Sequence, residues 1–304
     1  MSDWPDNIRA GEVEVLEPAV RRLLAPNPSP YTFTGTQTWI VGAGRDVAVI
    51  DPGPAGSGES VGDPKDAFGA GHVDAILRAL GDQQLVAILC THTHRDHSPA
   101  AAPLKAATGA PIIGCAPLAI VDDGPRADAA FDPDYAPDQI LADGDVVSGD
   151  GWTLEAVATP GHTSNHLCYA LRETNALFTG DHVMQWSTSV VSPPDGDMAQ
   201  YMASLERLYA RDDRIFYPAH GPAITKTKQY VRGMLGHRKS REVQILRELA
   251  KGPRAIETMV AVMYKGLDPR LTGAAGRSVL AHLIDLERRD KVATKDDIWR
   301  VLDL

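Results

Sequence analysis

Thr91-His92-Thr93-His94-Arg95-Asp96-His97 is the stretch on which the reading of this chain turns. It directly follows Leu85-Val86-Ala87-Ile88-Leu89-Cys90, whose length and apolar composition predict a buried strand. On an extended segment residues two apart point the same way, so His92 and His94 face one side together. Asp96 and His97 fall where the chain turns toward a helix expected over 100–107, and there they present a second ligand set. Neutral imidazole and carboxylate are the ligands of zinc and of other first-row metals such as iron or manganese. The competing reading is a patch of surface histidines that binds nothing.

Three further segments weigh against that competing reading. Thr159-Pro160-Gly161-His162-Thr163, Phe178-Thr179-Gly180-Asp181-His182 and Tyr217-Pro218-Ala219-His220-Gly221-Pro222 each place a His or Asp at the end of a predicted strand. Small residues beside each one allow close approach. The strands concerned are expected over 152–159, 166–171, 176–179 and 214–217. Upstream, 31–41 and 45–50 read as a hairpin about Gly42-Ala43-Gly44, ended by Asp51-Pro52-Gly53-Pro54. Helices are expected over 71–80 and 197–210 and a short strand at 111–113. Strands and helices in this order predict a layered α/β domain. Loops at 52–70, 120–138 and 183–196 are candidates to line a pocket, with Trp39, Tyr135 and Trp186 as aromatic residues that either touch substrate or fill the core.

The ordered set His-x-His-x-Asp-His, Gly-His, Gly-Asp and His-Gly resembles the signature of the metallo-β-lactamase superfamily over roughly residues 30–222. The resemblance implies an αβ/βα four-layer sandwich with the site at one edge and two divalent metal ions, zinc first, with iron or manganese as alternatives. It implies that His92, His94 and His162 hold one metal, that Asp96, His97 and His220 hold the other, and that Asp181 bridges them. A water shared by two cations gives up a proton near neutral pH, so a metal-bridging hydroxide is the expected nucleophile. Asp96 is expected to orient it. His166, in Gly161-His-Thr-Ser-Asn-His166, matches a recurring second His of the family and is expected beside the metals, as a catalytic residue or a hydrogen-bonding one. His182 is expected to pack or to support the ligands. The segment 27–42, together with Ser240-Arg241-Glu242 and the helices after it, resembles the β-lactamase-like protein 2 group; Gln37 stands where that group usually has Asn.

Composition bounds the remainder. The chain has 304 residues, 43% of them hydrophobic and 23% charged, as in ordinary globular proteins. No apolar run is long enough to cross a bilayer, and the N-terminus has no signal-peptide character, so no membrane partner is expected. Three widely spaced cysteines (Cys90, Cys115, Cys168) fit buried thiols in a reducing cytoplasm. The net charge of −10 is unevenly spread: residues 223–304 carry 17 Lys+Arg against 10 Asp+Glu, residues 1–222 carry 13 against 30. That change of sign predicts a boundary between a catalytic domain, 1–222, and a basic helix plus small domain, 223–304. Helical spacing at Val243–Ala250, Ile256–Met263 and Val279–Leu286, then a hairpin over Lys291–Leu302, is a winged-helix pattern. Lys226, Lys228, Arg232, Arg238, Lys239, Arg241, Arg247, Lys251 and Arg254 form either a solvated face or a docking surface for an anionic substrate.

These features favour a metal-dependent hydrolase of a small anionic thioester or ester, such as an acyl-glutathione, acyl-CoA or acyl-carrier conjugate. The alternative is an endoribonuclease or phosphodiesterase, with the basic stretch neutralising RNA phosphates; the acidic whole and the lack of an aromatic basic platform weigh against it. A mono-iron persulfide dioxygenase, a β-lactamase and a non-enzymatic DNA-binding protein rank lower, and an oligomer is compatible with everything above. Zinc β-lactamases of this fold have Cys or Ser where Asp181 stands, so the purified protein is expected to hydrolyse nitrocefin weakly or not at all; efficient metal-dependent turnover in a colorimetric assay contradicts that.

Overall fold

Burial with a period of two sets the layers. The computed structural model describes residues 8–56, 71–118 and 131–302. Its first sheet holds β1 (Val13–Glu17), β2 (Val20–Leu24), β3 (Gln37–Val41), β4 (Asp46–Ile50), β5 (Gln84–Cys90), β6 (Ile112–Gly114) and β7 (Gln139–Ile140), hydrogen-bonded in that order. β1 to β4 pair antiparallel and β4 to β7 parallel. The second sheet holds β8 (Val146–Gly149), β9 (Trp152–Ala158), β10 (Leu167–Leu171), β11 (Ala176–Gly180) and β12 (Ile215–Pro218), of which only β11 and β12 run parallel. Parallel neighbours need a crossover. The helices α1 (His72–Leu80), α2 (Ala101–Thr108) and α3 (Met198–Ala210) supply three of them.

Trp152, Leu154, Ala156, Leu167, Tyr169, Leu171, Phe178 and Tyr217 point into one core with the first sheet and with Ile76, Leu80 and Leu104 of α1 and α2. The intervening Val157, Cys168, Ala170, Leu177 and Phe216 point the other way, onto Tyr201, Leu205 and Leu208 of α3. The result is helix, sheet, sheet, helix: the expected αβ/βα sandwich. β4, covered on both sides, is apolar without alternation over Val47–Ile50.

α4 (Thr227–Leu249) is one helix of 23 residues. Val231 and Met234 in its first half pack on α3 and the second sheet, and Ile245 and Leu249 at its end pack elsewhere. Their partners come from α5 (Ile256–Met263), α6 (Thr272–Arg288) and the hairpin β13 (Val292–Lys295) and β14 (Ile298–Val301). This is the winged-helix arrangement that the pattern predicts. Among the described residues no helix is long and apolar enough to cross a membrane, and the three cysteines are buried free thiols.

Two differences from the sequence reading have local causes. Residues 31–36, expected within the hairpin, form turns instead. Asn27 ties this stretch down: its Oδ1 accepts from the backbone Thr36 N at 2.8 Å and its carbonyl accepts from the Thr32 hydroxyl, Oγ1, at 2.5 Å. β1, β2, β7 and β8 lie outside the predicted strands, because Glu14, Arg21 and Arg22 interrupt the apolar signal and the other two are short and exposed.

Phe178 is fully buried between the sheets, 5.6 Å from the Trp39 ring and 5.5 Å from the Tyr217 ring. Phe178→Ala is therefore expected to lower unfolding free energy by about 3–5 kcal/mol in a urea titration, whereas Val243→Ala on the exposed side of α4 stays within about 0.5 kcal/mol of the parent.

Candidate metal centre

The seven expected ligands all sit just past the C-terminal ends of strands. His92 and His94 follow β5, with Asp96 and His97 in the turn that leads to α2; His162 follows β9, Asp181 follows β11 and His220 follows β12. The fold brings all seven together as two groups, His92, His94, His162 and Asp181 in one and Asp96, His97 and His220 in the other, with the ligand atoms of each group within 4.8 Å of one another.

Hydrogen bonds fix which nitrogen of several rings keeps a lone pair. His162 Nδ1 donates to Val190 O at 2.6 Å, so its Nε2 carries the lone pair and lies 3.2 Å from His94 Nδ1 and 3.6 Å from Asp181 Oδ2. His94 Nδ1 is also 3.0 Å from His92 Nε2. In the second group His97 Nδ1 donates to Asp51 Oδ2 at 3.0 Å, which leaves Nε2 facing Asp96 Oδ2 at 3.3 Å and Asp181 Oδ1 at 3.6 Å. His220 Nδ1 approaches Gly35 O at 3.3 Å, and its Nε2 meets Asp96 Oδ2 at 3.1 Å and Asp181 Oδ1 at 3.2 Å. Lone pairs and carboxylate oxygens facing each other in a buried space repel unless a positive charge lies among them. Protons can supply that charge. Burial alone would lower His97, yet Asp96, Asp181 and Asp51 raise it well above the ordinary imidazole range. His92, with no carboxylate in direct contact, is instead pushed well below it by burial and by the neighbouring histidines. His97 Nε2 and Asp181 Oδ1 are buried without a hydrogen-bond partner. The donor set thus fits two divalent cations, each with imidazole and carboxylate ligands.

A surrounding shell holds these groups in place, and sequence reasoning missed most of it. Asp51, at φ 49°, turns back from the end of β4 and binds three groups at once: Thr91 N at 2.8 Å, Thr91 Oγ1 at 2.9 Å and His97 Nδ1. Its signal was an Asp set directly between an apolar strand and Pro52-Gly53. Ser189 Oγ donates to Asp181 O at 2.5 Å, while Ser189 O accepts from the buried guanidinium of Arg238, which also lies over the Tyr201 ring. α4 thereby anchors the loop that carries Val190 O. Gln37 donates to Gly221 O and accepts from Arg22 Nη1 at 3.0 Å, tying the His220 turn to β2 and β3.

His166 has both ring nitrogens engaged inside the protein: Asp181 N donates to Nε2 at 3.3 Å, and Nδ1 donates to Thr159 Oγ1 at 2.9 Å. It belongs to neither ligand group. Gly180 must be glycine here, since a Cβ would fall 2.7 Å from His166 Nε2 and from Thr91 Oγ1. His182 packs against the Tyr201 ring.

His94, Asp96, His162 and Asp181 form the floor of a cavity of about 330 Å³. The 183–192 loop contributes Met184, Trp186 and Val190, and the start of the small domain contributes Leu271, Ala274 and Arg277. Of the three aromatic candidates Trp186 lines this cavity, with its ring stacked on Phe33; Trp39 and Tyr135 are core residues. Residues 57–70 and 120–130 of the other two loops lie outside the described residues. None of the nine basic residues of 226–254 lines the cavity. Several are spent on neighbours, as in Lys228–Asp212, Lys251–Glu248 and Arg241 over Tyr264.

The chain belongs to the metallo-β-lactamase superfamily: residues 31–220 match the Metallo-beta-lactamase superfamily, and 255–299 match the Beta-lactamase associated winged helix domain. It is a hydrolase of that fold with two His/Asp groups of the binuclear type. It is 32% identical over 254 residues to the Atrochrysone carboxyl ACP thioesterase of Aspergillus fumigatus, covering 82% of this chain and 70% of that one. Similarity to the Lactamase-like protein notP of an Aspergillus species is 29% over 269 residues, or 83% and 75% of the two chains. In fold it is similar to a beta-lactamase domain protein from Burkholderia ambifaria (TM-score 0.77, 20% identity, 98% and 96% covered). A metallo-beta-lactamase family protein from Thermus thermophilus gives a TM-score of 0.75 at 20% identity, with 95% and 100% covered.

The shell around the ligands yields a direct test. Asp51→Asn keeps the size of the side chain but loses the charge that sets the His97 tautomer, and is expected to weaken metal binding by about 10–100-fold in a chelator competition titration. Unaltered affinity would remove Asp51 from this role.

Proposed function

We propose that this protein is a metal-dependent thioester hydrolase acting on acyl groups carried by a thiol such as an acyl carrier protein, coenzyme A or glutathione. The observation that carries the reading is the floor of the cavity, where His94, Asp96, His162 and Asp181 lie open to a mostly apolar chamber. The thioesterases among its relatives support the same chemistry. Within the superfamily we place it with the β-lactamase-like protein 2 group, on the segment 27–42 and the winged-helix extension.

In this reading His92, His94 and His162 hold one cation, Asp96, His97 and His220 the other, and Asp181 is shared; zinc is the first candidate. Such cations, when bound, supply Lewis acidity toward the thioester carbonyl and lower the pKa of water. The chain's own groups do the rest. Asp96 is open to the cavity and accepts a hydrogen bond from the attacking water, which aims it. His166 is a positioning residue that holds the backbone of Asp181. Trp186, Met184 and Leu271 exclude water from the acyl chain. A nuclease reading needs cations along the cavity to meet a phosphate backbone, and the basic stretch of α4 is not there.

Purified protein with measured metal content, assayed on acyl-CoA, acyl-glutathione, bis-p-nitrophenyl phosphate and single-stranded RNA, tests the proposal. Thioester hydrolysis is expected to dominate, and His94→Ala to lower kcat/KM by about 100-fold or more. Faster cleavage of RNA or of the phosphodiester contradicts the reading.

A further inference from the structure

Asp96 meets its neighbours through one oxygen. Among the described residues its polar contacts all fall on Oδ2: His220 Nε2 at 3.1 Å, His97 Nε2 at 3.3 Å and Thr36 Oγ1 at 3.5 Å. Thr36 is fully buried in the turn before β3, far from Asp96 in sequence. Its hydroxyl proton has a defined direction. Asn27 Oδ1 accepts from Thr36 N at 2.8 Å, which settles the two ends of the amide. Asn27 Nδ2 therefore faces Thr36 Oγ1, at 2.9 Å, and donates to it. The proton of Oγ1 is left for the carboxylate of Asp96, a charged and hence strong acceptor. Asn27, like Thr36, is shut off from solvent, so water does not compete for these bonds.

The residues on either side of Thr36 touch the other turn of the second ligand group. Gly35 O lies 3.3 Å from His220 Nδ1, Gln37 N donates to Ala219 O at 2.7 Å, and Gln37 Nε2 donates to Gly221 O. Gly35 sits at φ 139°, where a Cβ would collide with Ala25 O, so this strip has one shape. Asp96 and His220 follow strands of different sheets, and Gly35-Thr36-Gln37 gauges one against the other. Closing the 27–36 turn needs only the bond from Thr36 N to Asn27 Oδ1; it does not call for a hydroxyl aimed at Asp96.

We propose that Thr36 is a positioning residue for Asp96: its hydroxyl, aimed by Asn27, holds Oδ2 among the ligand atoms of the second group and leaves Oδ1 to the chamber, where it meets the attacking water. The hold on Oδ2 is independent of the substrate, and the use of Oδ1 rests on the thioesterase reading. A carboxylate turns easily about its last bond, and a hydrogen bond to one oxygen removes that freedom. Ligating carboxylates that lose such a partner typically lose about 10–100-fold in metal affinity or activity.

The full chain is compared with Thr36→Val and Thr36→Ser, each loaded with metal in the same way. Chelator competition gives the affinity of each ion, cadmium-113 NMR with the signals assigned through histidine ring protons shows which group holds it, and kcat and KM are measured on butyryl-CoA. Thr36→Val is expected to hold the ion of the second group about tenfold or more weakly with the first unchanged, and to lower kcat about tenfold at a KM near the parent's. Thr36→Ser returns both toward the parent. Unchanged affinity at the second group in Thr36→Val overturns the proposal. Equal weakening at both groups with a lowered Tm overturns it too and leaves Thr36 as a turn residue. A weaker second ion with unchanged kcat keeps the hold on Oδ2 and overturns the part given to Oδ1. Should Thr36→Val not fold, crystals of the metal-loaded parent decide: an Oγ1–Oδ2 separation of about 3.0 Å or less is expected, and a longer one overturns the proposal. A parent that hydrolyses no thioester sinks the thioesterase reading, while the metal affinities still decide what Thr36 does for Asp96.

Discussion

A buried excess of lone pairs is the constraint on which the rest of the structure depends. His97 Nε2 and His220 Nε2 both point at Asp96 Oδ2 and Asp181 Oδ1, and His92, His94 and His162 bring three ring nitrogens to one place. Without positive charge this arrangement is repulsive, and His97 Nε2 and Asp181 Oδ1 are buried with no hydrogen-bond partner to relieve it. The protein makes the arrangement obligatory by fixing the opposite nitrogens: Asp51 holds Nδ1 of His97, Val190 O holds Nδ1 of His162, and Gly35 O faces Nδ1 of His220. Each partner belongs to a different part of the chain, so the tautomers are set by the fold as a whole.

The fold's contribution is to bring strand ends to one edge. β5, β9, β11 and β12 belong to two different sheets, yet all stop at the same rim of the sandwich, and small residues such as Gly180 let the following side chains crowd together. The loop 183–192 serves two purposes. Its Val190 and Ser189 orient ligand residues, and its Trp186 walls the cavity. α4 braces that loop through Arg238, which links the C-terminal region to the metal site as a mechanical support.

The site was more legible in the sequence than its surroundings. His92, His94, Asp96 and His97 lie within six residues after an obvious strand, and strand-end geometry makes such spacing meaningful. The roles of Asp51 and Arg238 are not legible in the sequence because each acts through contacts with residues distant along the chain, as with Asp51 and His97, 46 positions apart. The basic run of 226–254 could be read as charge but not as geometry. Only the fold reveals that it faces neighbours and solvent, and that the cation beside the site is Arg277 instead. Turn residues 31–36 were misread because the alternating pattern of a strand was present, while side-chain capture of the backbone by Asn27 was not visible in it.

Anomalous diffraction from crystals of the metal-loaded protein would locate the charge that the seven ligands require. Two peaks are expected, one among His92, His94, His162 and Asp181 and the other among Asp96, His97 and His220, with Asp181 between them. A single peak, or none with the imidazoles hydrogen-bonded to protonated carboxylates, would contradict this arrangement.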